Sequence, residues 1–332
     1  MKIGRFRDPA GHERLGVVLG AGGVARDQDQ SQSPMYRVLD LQAAATARDG
    51  KGQAPFGSMD ALMRGGLAAL DAAREVCAWA GREAGAGSEN HAPWFQPEAS
   101  VRWDLPVVPR NVIAGGMNFA RHRDEVIRMN GAGQSHSDFP MGFIKLAQSM
   151  VPTRSSVARP EGVQQFDYEI EVAAVIGRAA RDVKEGDALD HVFGYTIMND
   201  LSAREWQMRE MANQSILLGK NFPGFGPLGP WILTADEVPD PSALEIELRV
   251  NGEVRQQSSC ADLIFGFAEM VAHWSRMGLA RGDIVTSGTP EGIAFAKRPD
   301  ATSFYLKPGD SVEAEVRQIG TLETRIVAAG GH

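Results

Sequence analysis

The chain has 332 residues, with 42 acidic and 34 basic side chains and a formal net charge of −8. This charge disfavours nucleic acid or an anionic membrane surface as the main partner, and no apolar run is long enough to span a bilayer. The only cysteines, Cys77 and Cys260, exclude a disulfide framework and a zinc cluster. We therefore expect a cytoplasmic protein.

The first hundred residues read as a small accessory region. Short apolar runs predict strands at Leu15–Gly20 and Val38–Leu41, and Gly22-Gly23 is too short for a dinucleotide fingerprint. Ser58 is placed to cap a helix that continues to about Ala80. The Gly- and Ala-rich stretch 81–96 predicts a linker, so that residues 1–100 form one region and residues 108–328 another.

An acidic alternating stretch, Phe166 to Gly177, predicts the strand that organises the second region. In a strand, residues i and i+2 share a face, which would point Asp167, Glu169 and Glu171 the same way. Repulsion among such carboxylates destabilises the strand unless a cation neutralises them, and a set of oxygen ligands suits Mg²⁺. A solvated acidic strand face is the alternative, and this stretch alone leaves both readings open.

A predicted strand ending at Gly115-Gly116 leads into a polar segment of helical character. On a helix, His122 and Glu125 at i and i+3 share a face. A carboxylate beside an imidazole orients it as a general base, although such a pair is also common as a surface contact. The following loop, 131–140, has the composition of a lid, and His136 within it is expected to be solvated.

Further elements follow in the second half of the chain. Ser202 is predicted to begin a helix with Arg204 and Gln207 on one face, and Asn251-Gly252 predicts a hairpin. A helix is expected from Asp262 to Met277. The tight loop 288–292 offers backbone amides and the Thr289 hydroxyl, which together suit a carboxylate.

Together these motifs resemble the fumarylacetoacetate hydrolase family across residues 108–328. The segments that carry the resemblance, in the family's order, are Asn118–Glu125, Phe143–Lys145, Asp167–Glu171, Asn199–Arg204, Lys220, Pro227–Trp231, Asn251–Glu253, Gly282–Val285 and Gly288–Gly292. The resemblance implies an α+β fold, a mixed β-roll with flanking helices, preceded by a small N-terminal region and assembled as a homodimer.

The resemblance also implies a set of site residues. Glu169, Glu171 and Asp200 match the ligands of Mg²⁺ or Mn²⁺, and His122 and Glu125 match a pair that activates water. Lys220 would stabilise charge in catalysis. Lys145, Arg204, Gln207 and Thr289 match positions that line the substrate site.

The implied reaction is the hydrolysis of a carbon–carbon bond in an acylpyruvate-like 1,3-diketo acid, with release of pyruvate or a related 2-oxo acid. Oxaloacetate decarboxylation, hydration or isomerisation of 2-hydroxydienoates, tautomerisation and cleavage of diketo-deoxy sugar acids are the alternatives within the family. A catalytically inactive protein that binds metal and 2-oxo acid is the alternative from another class. Two departures bear on substrate choice: Phe119 replaces a common Tyr, and no Pro-Ser follows Lys145.

Overall fold

The computed structural model describes residues 1–8, 10–20, 36–50, 55–88, 92–130, 137–297 and 299–330. Within these ranges the backbone divides into two units, Met1–Val107 and Val108–His332. Two features that the sequence singled out, Gly22-Gly23 and His136, lie outside the described residues, as does the 131–136 part of the predicted lid.

Among its described residues, the first unit contains an antiparallel sheet and two helices. In the sheet, β1 pairs with β2, β2 with β3 and β3 with β4, while β5 also pairs with β1. The elements are β1 (Lys2–Arg7), β2 (Glu13–Leu19), β3 (Arg37–Asp40), α1 (Leu41–Asp49), α2 (Met59–Ser88), β4 (Phe95–Pro97) and β5 (Arg102–Trp103).

Helix boundaries in this unit depart from the sequence predictions at two places. Ser58 caps α2 as predicted, with its Oγ accepting from the Ala61 amide at 3.1 Å. The predicted linker is wrong, because α2 continues to Ser88 and β4 follows. Strong helix formers such as Arg82, Glu83 and Ala84 outweigh the glycines within residues 81–88 and extend α2. The second departure is at Asp40, which ends β3 and caps α1 by accepting from the Ala43 amide, so that Leu41 is helical.

The second unit contains fourteen strands and four helices among its described residues. The strands are β6 (Val112–Gly116), β7 (Met141–Lys145), β8 (Met150–Val151), β9 (Ser155–Ala158), β10 (Phe166–Asp167), β11 (Ile170–Ile176), β12 (Val192–Asn199), β13 (Ser202–Ala203), β14 (Gly226–Thr234), β15 (Glu245–Val250), β16 (Glu253–Ser259), β17 (Ile284–Thr286), β18 (Ser311–Val316) and β19 (Gly320–Val327). The helices are α3 (Ala120–Asn130), α4 (Glu185–Ala188), α5 (Arg204–Met211) and α6 (Phe267–Ser275).

Two mixed sheets form the core of this unit. One runs in the order β14-β12-β11-β17-β6-β7, with β8 added in parallel to β14, and the other runs β16-β15-β18-β19-β9. Strands β11 and β12 contact β15 and β18 of the second sheet, and every residue of β11 and β12 is buried. The two short strands β10 and β13 pair only with each other. The mixed α+β class predicted from the sequence is confirmed.

The organising strand is not continuous. Pairing stops after Asp167 and resumes at Ile170, because side chains take the place of the ladder between them: the Asn199 side chain accepts from the Glu169 amide, and Asp167 accepts from the Tyr168 amide. The prediction of one continuous strand over 166–177 is therefore wrong, because the break leaves Glu169 outside both β10 and β11. Asp167 and Glu169 still converge on the Arg204 guanidinium, whereas Glu169 and Glu171 meet in the carboxylate cluster described below.

Two helix predictions in this unit also need correction, whereas the hairpin at Asn251-Gly252 is confirmed. Ser202 lies in β13 and donates to the Asp200 carbonyl, so α5 begins at Arg204. Helix α6 is shorter than the predicted 262–277 span because Gly266 is its N-cap.

Close packing of β12 against β14 gives a test of the fold. A Cβ added to Gly194 would lie 2.3 Å from the Leu233 carbonyl oxygen, so Gly194→Ala should lower the free energy of unfolding by about 1–3 kcal/mol. Gly186, in α4, has no atom within 4 Å of the same position, so Gly186→Ala should stabilise by about 0.4–1 kcal/mol. Urea titration of both variants measures the difference, and equal stabilities would contradict this account of the core.

Candidate metal centre and active site

Three carboxylates meet where β11 and β12 pair. Glu171 lies in β11, Glu169 lies just before it, and Asp200 lies just after β12. The antiparallel register pairs Ile170 with Asn199, and the Asp200 amide donates to the Glu169 carbonyl at 2.8 Å. As a result, one oxygen from each carboxylate lies within 4.8 Å of the others, and all three residues are buried.

The Lys220 ammonium lies between two of these carboxylates. Its Nζ is 2.7 Å from Glu169 Oε2 and 2.7 Å from Asp200 Oδ2. A 3₁₀ turn over Leu218–Lys220 presents the side chain, and Glu210 holds that turn by accepting from the amides of residues 217–219. Burial opposes the charge of Lys220, but the two carboxylates outweigh it and raise its pKa.

Lys145, at the end of β7, contacts Asp200 of the same carboxylate cluster. Its Nζ lies 2.7 Å from Asp200 Oδ1 and donates to the carbonyl oxygens of Lys220 and Phe225. The side chain has no exposed surface. The ammonium thus donates two hydrogen bonds to main-chain carbonyls and makes an ion pair with Asp200, while its burial lowers the pKa of Lys145.

Arg204 joins the centre to Asp167 and Gln207. Its Nη2 is 2.6 Å from Glu169 Oε1 and 2.8 Å from Asp167 Oδ2, while its Nη1 donates to Gln207 Oε1 at 2.8 Å. The Asp167 carboxylate also accepts from the amides of Ala294 and Phe295. Asp167 therefore orients Arg204 and fixes the 294–295 backbone, a role for which the sequence offers no signal beyond its place in the acidic stretch.

The pKa shifts show where the charge balance is incomplete. Burial raises the pKa of Glu171 well above its usual range, and the adjacent carboxylates of Asp200 and Glu169 add to that shift. Burial acts in the same sense on Glu169, but Lys220 and Arg204 outweigh it and lower the pKa of Glu169 to about 2. A cation beside Glu171 would restore its ionised form. The donor set, three buried carboxylates with oxygen ligands alone, fits a hard divalent cation such as Mg²⁺.

His122 and Glu125 form a pair on α3, as the helical spacing predicted. His122 is buried, and its Nδ1 lies 3.3 Å from Glu125 Oε2. The Gly292 amide donates to Glu125 at 3.4 Å, which fixes the carboxylate from the opposite side. His122 lies close enough to Glu169 to contribute to the lowered pKa of that carboxylate.

The end of β17, the loop after it and Gln256 make three contacts that the sequence did not reveal. Thr286 donates through its hydroxyl to Glu171 Oε2, and Gln256 of β16 donates to Thr289 Oγ1 at 2.9 Å. Gln256 also accepts from the Ile170 amide at 3.1 Å. These are contacts between distant parts of the chain, and only the inward position of a polar Gln256 in the predicted hairpin could have indicated one of them.

Comparison with known proteins identifies the family of this chain. Residues 111–327 match the family model for the fumarylacetoacetate (FAA) hydrolase C-terminal domain. The chain belongs to this family. It is 36% identical over 233 residues to the human protein named mitochondrial oxaloacetate tautomerase FAHD2A, covering 70% of this chain and 71% of that one. It is also 35% identical over 239 residues to a fumarylacetoacetate hydrolase domain-containing protein 2 homolog of Dictyostelium discoideum, covering 69% of this chain and 75% of that one.

Solved structures of the family resemble the whole chain. A fumarylacetoacetate hydrolase from Exiguobacterium antarcticum matches with a TM-score of 0.69 and 30% identity, covering 99% of each chain. A 5-carboxymethyl-2-hydroxymuconate delta-isomerase from Mycobacterium smegmatis matches with a TM-score of 0.68 and 27% identity, covering 99% of this chain and 100% of that one. The family predicted from the sequence is confirmed. None of the helices in the described ranges has the length and apolar character that a membrane span requires.

The raised pKa of Glu171 gives a prediction that separates its structural and metal-binding roles. Its pKa is higher in the folded than in the unfolded chain, so its ionisation costs stability as the pH rises above the unfolded value of about 4.3. At pH 7 and without divalent cation, Glu171→Gln should therefore raise the thermal unfolding temperature. The same variant should lose most of the stabilisation that Mg²⁺ gives the parent, because a neutral amide is a weaker ligand.

Thermal unfolding of both proteins over a Mg²⁺ series, with calorimetry of Mg²⁺ binding, measures the two effects. Glu247→Gln, at a half-buried carboxylate of β15 outside the cluster, is the matched control. Equal Mg²⁺ affinity in the parent and in Glu171→Gln would contradict the metal assignment.

Proposed function

We propose that the chain is a metal-dependent enzyme that converts a 2-oxo acid through its enolate form, and that keto–enol tautomerisation of a short 2-oxo dicarboxylic acid of the oxaloacetate class is its principal reaction. The observation that carries the proposal is the buried cluster of Glu169, Glu171 and Asp200 next to the His122–Glu125 pair. The cluster suits a cation, and the pair suits proton transfer.

Glu169, Glu171 and Asp200 would hold Mg²⁺ or Mn²⁺. Such a cation, when bound, polarises the 2-oxo and carboxylate oxygens of a chelating acid and stabilises negative charge on them. Lys220, whose Nζ lies between Glu169 and Asp200, supplies a second positive charge at the same place. We assign Lys220 to the stabilisation of the enolate.

His122 is proposed to move the proton. Because a carboxylate only accepts, the Nδ1–H of His122 donates to Glu125, which leaves Nε2 as the basic atom. Nε2 takes the proton from C3 of the substrate as the C–H electron pair forms the C2=C3 double bond and the carbonyl π pair moves onto the 2-oxo oxygen. The imidazolium then returns the proton to the 2-oxo oxygen, which gives the enol. Glu125 holds the tautomer and stabilises the charge that forms on His122.

The remaining predicted residues are assigned to substrate binding and positioning. Arg204 and Gln207, joined by a 2.8 Å hydrogen bond, are proposed to bind the substrate beside Glu169, and the Thr289 hydroxyl is proposed to bind its carboxylate. The sequence placed Lys145 with this group. Since its ammonium is fully buried and already contacts Asp200 and two carbonyl oxygens, we assign Lys145 to orienting Asp200 instead.

Similarity favours tautomerisation over the reaction predicted from the sequence. The human relative at 36% identity is named an oxaloacetate tautomerase, and the Mycobacterium smegmatis structure is named an isomerase. Hydrolysis of a carbon–carbon bond in an acylpyruvate is the second candidate, and the His122–Glu125 pair favours it because the same base would activate water. A homodimer and a cytoplasmic location remain predictions from the sequence.

A substrate panel with Mg²⁺ tests the proposal. We expect the protein to accelerate the conversion of enol-oxaloacetate to its keto form, measured as the loss of enol absorbance. The total amount of oxaloacetate should not change. Acetylpyruvate and longer acylpyruvates, assayed for pyruvate release, test the second candidate. Rapid pyruvate release without tautomerase activity would overturn the first proposal in favour of hydrolysis.

The acid–base pair generates a kinetic prediction. His122→Ala should lower kcat for the preferred substrate by about 10²–10⁴-fold, the usual contribution of a general base. Glu125→Gln should act in the same direction, and the double variant should lose little more, because residues that act as a unit are not additive. His191→Ala, at a half-buried histidine outside the site that contacts Arg178, is the control.

A surface ion pair would behave differently. It would change stability by less than about 1 kcal/mol and leave kcat unaltered. Unchanged kcat in both single variants would therefore remove the pair from the mechanism, whatever the metal dependence.

A further inference from the structure

Gln256 is a buried amide of β16 to which the proposed function gives no task. It is 1% exposed, although its neighbours Arg255 and Gln257 on the same strand are not buried. Its Oε1 accepts from the Ile170 amide at 3.1 Å, and its Nε2 donates to Thr289 Oγ1 and to the Pro290 carbonyl, both at 2.9 Å. One side chain thus joins the strand of the metal ligands to the loop of Thr289.

The orientation of this amide is fixed by its partners. The Ile170 amide can only donate and the Pro290 carbonyl can only accept, so a flipped amide would lose both hydrogen bonds. Nε2 has two protons, one for Pro290 and one for Thr289. Thr289 Oγ1 is therefore an acceptor toward Gln256, and the proton of its own hydroxyl is left to be donated elsewhere.

We infer that Gln256 is a positioning residue that presents the Thr289 hydroxyl to the substrate as a hydrogen-bond donor. The inference rests on the proposed function, in which Thr289 contacts the substrate carboxylate. A carboxylate only accepts hydrogen bonds, so a hydroxyl that already accepts from Gln256 is in the required state before the substrate arrives. The neutral amide accomplishes this without adding charge beside the three carboxylates.

Backbone packing supports the same link between strand and loop. Gly292, at the end of the loop, has a φ of +101°, and a Cβ there would lie 2.3 Å from the Arg255 carbonyl oxygen. The loop therefore approaches β16 as closely as backbone allows. Ile170 lies between Glu169 and Glu171 in the chain, so Gln256 also sets the position of Thr289 relative to the metal ligands.

The test measures the binding of oxalate, a planar mimic of the enolate of pyruvate, to the Mg²⁺-loaded protein by calorimetry. Gln256→Met keeps the size of the side chain and removes its polar atoms, and Thr289→Val removes the hydroxyl. Each should weaken oxalate binding by about 10- to 100-fold, the effect of losing a hydrogen bond to a charged group. Together they should weaken it no more than Thr289→Val alone, because Gln256 acts through that hydroxyl.

Gln257→Met is the matched control: it makes the same chemical change one residue away, at an exposed side chain that contacts Glu247, and should leave oxalate binding unchanged. Mg²⁺ affinity without oxalate should stay within about threefold of the parent in all variants, which reports on the integrity of the three carboxylates. If Gln256→Met does not fold, Gln256→Asn, whose amide is one methylene short of Thr289, replaces it with the same expected result.

Three results would overturn the inference. Additive losses in the double variant, or unchanged oxalate affinity in Gln256→Met, would show that Gln256 does not act through Thr289, and the proposed function would stand. Failure of the unaltered protein to bind oxalate in a Mg²⁺-dependent way would overturn the proposed function and this role of Gln256 with it.

Discussion

The balance of buried charge is the constraint on which the site depends. Four buried carboxylates, at Asp167, Glu169, Glu171 and Asp200, face three buried cations, at Lys145, Lys220 and Arg204. Counted as formal charges, the carboxylates exceed the basic groups by one. Burial raises the pKa of Glu171 and lowers the pKa of Lys145, so each is pushed toward its neutral form. A divalent cation would add two positive charges to this cluster, and the loaded site would attract an anionic substrate more strongly than the empty one.

Interruptions of regular structure, rather than strands or helices, deliver three of these seven groups. Glu169 lies in the break between β10 and β11, Asp200 lies after the end of β12, and Lys220 ends a 3₁₀ turn. At such places backbone amides are left without ladder partners, and polar side chains such as those of Asn199 and Glu210 accept from them. The sheet determines where these interruptions lie in space, and the interruptions determine the direction of the side chains.

Local rules predicted the parts of this arrangement that depend on neighbours in sequence. The i, i+3 spacing placed His122 beside Glu125, the Asn251-Gly252 turn predicted its hairpin, and the family motifs singled out the three carboxylates that meet in the structure. The same rules failed where a distant group competes for the backbone. The predicted strand is interrupted where the Asn199 side chain accepts from the Glu169 amide, and Asp167 is held by the amides of Ala294 and Phe295 and by Arg204, none of which is near it in sequence.

The segment 286–292, which is the end of β17 and the loop after it, contacts both the carboxylate cluster and the His122–Glu125 pair. Thr286 and Ser287 bond to Glu171 and to the Val172 amide, which ties the loop to the ligand strand. At its far end the Gly292 amide donates to Glu125.

The start of α3, the helix that carries His122 and Glu125, is fixed to the same segment. The Asn118 side chain, two residues before α3, donates to the Ser287 carbonyl oxygen, and its main chain and side chain both bond to the 264–265 backbone. His122 and Glu171 are therefore positioned against one short piece of backbone rather than against each other. Residues 286–290 are all buried, so the contacts that position His122 and Glu171 lie in the core and not at the surface.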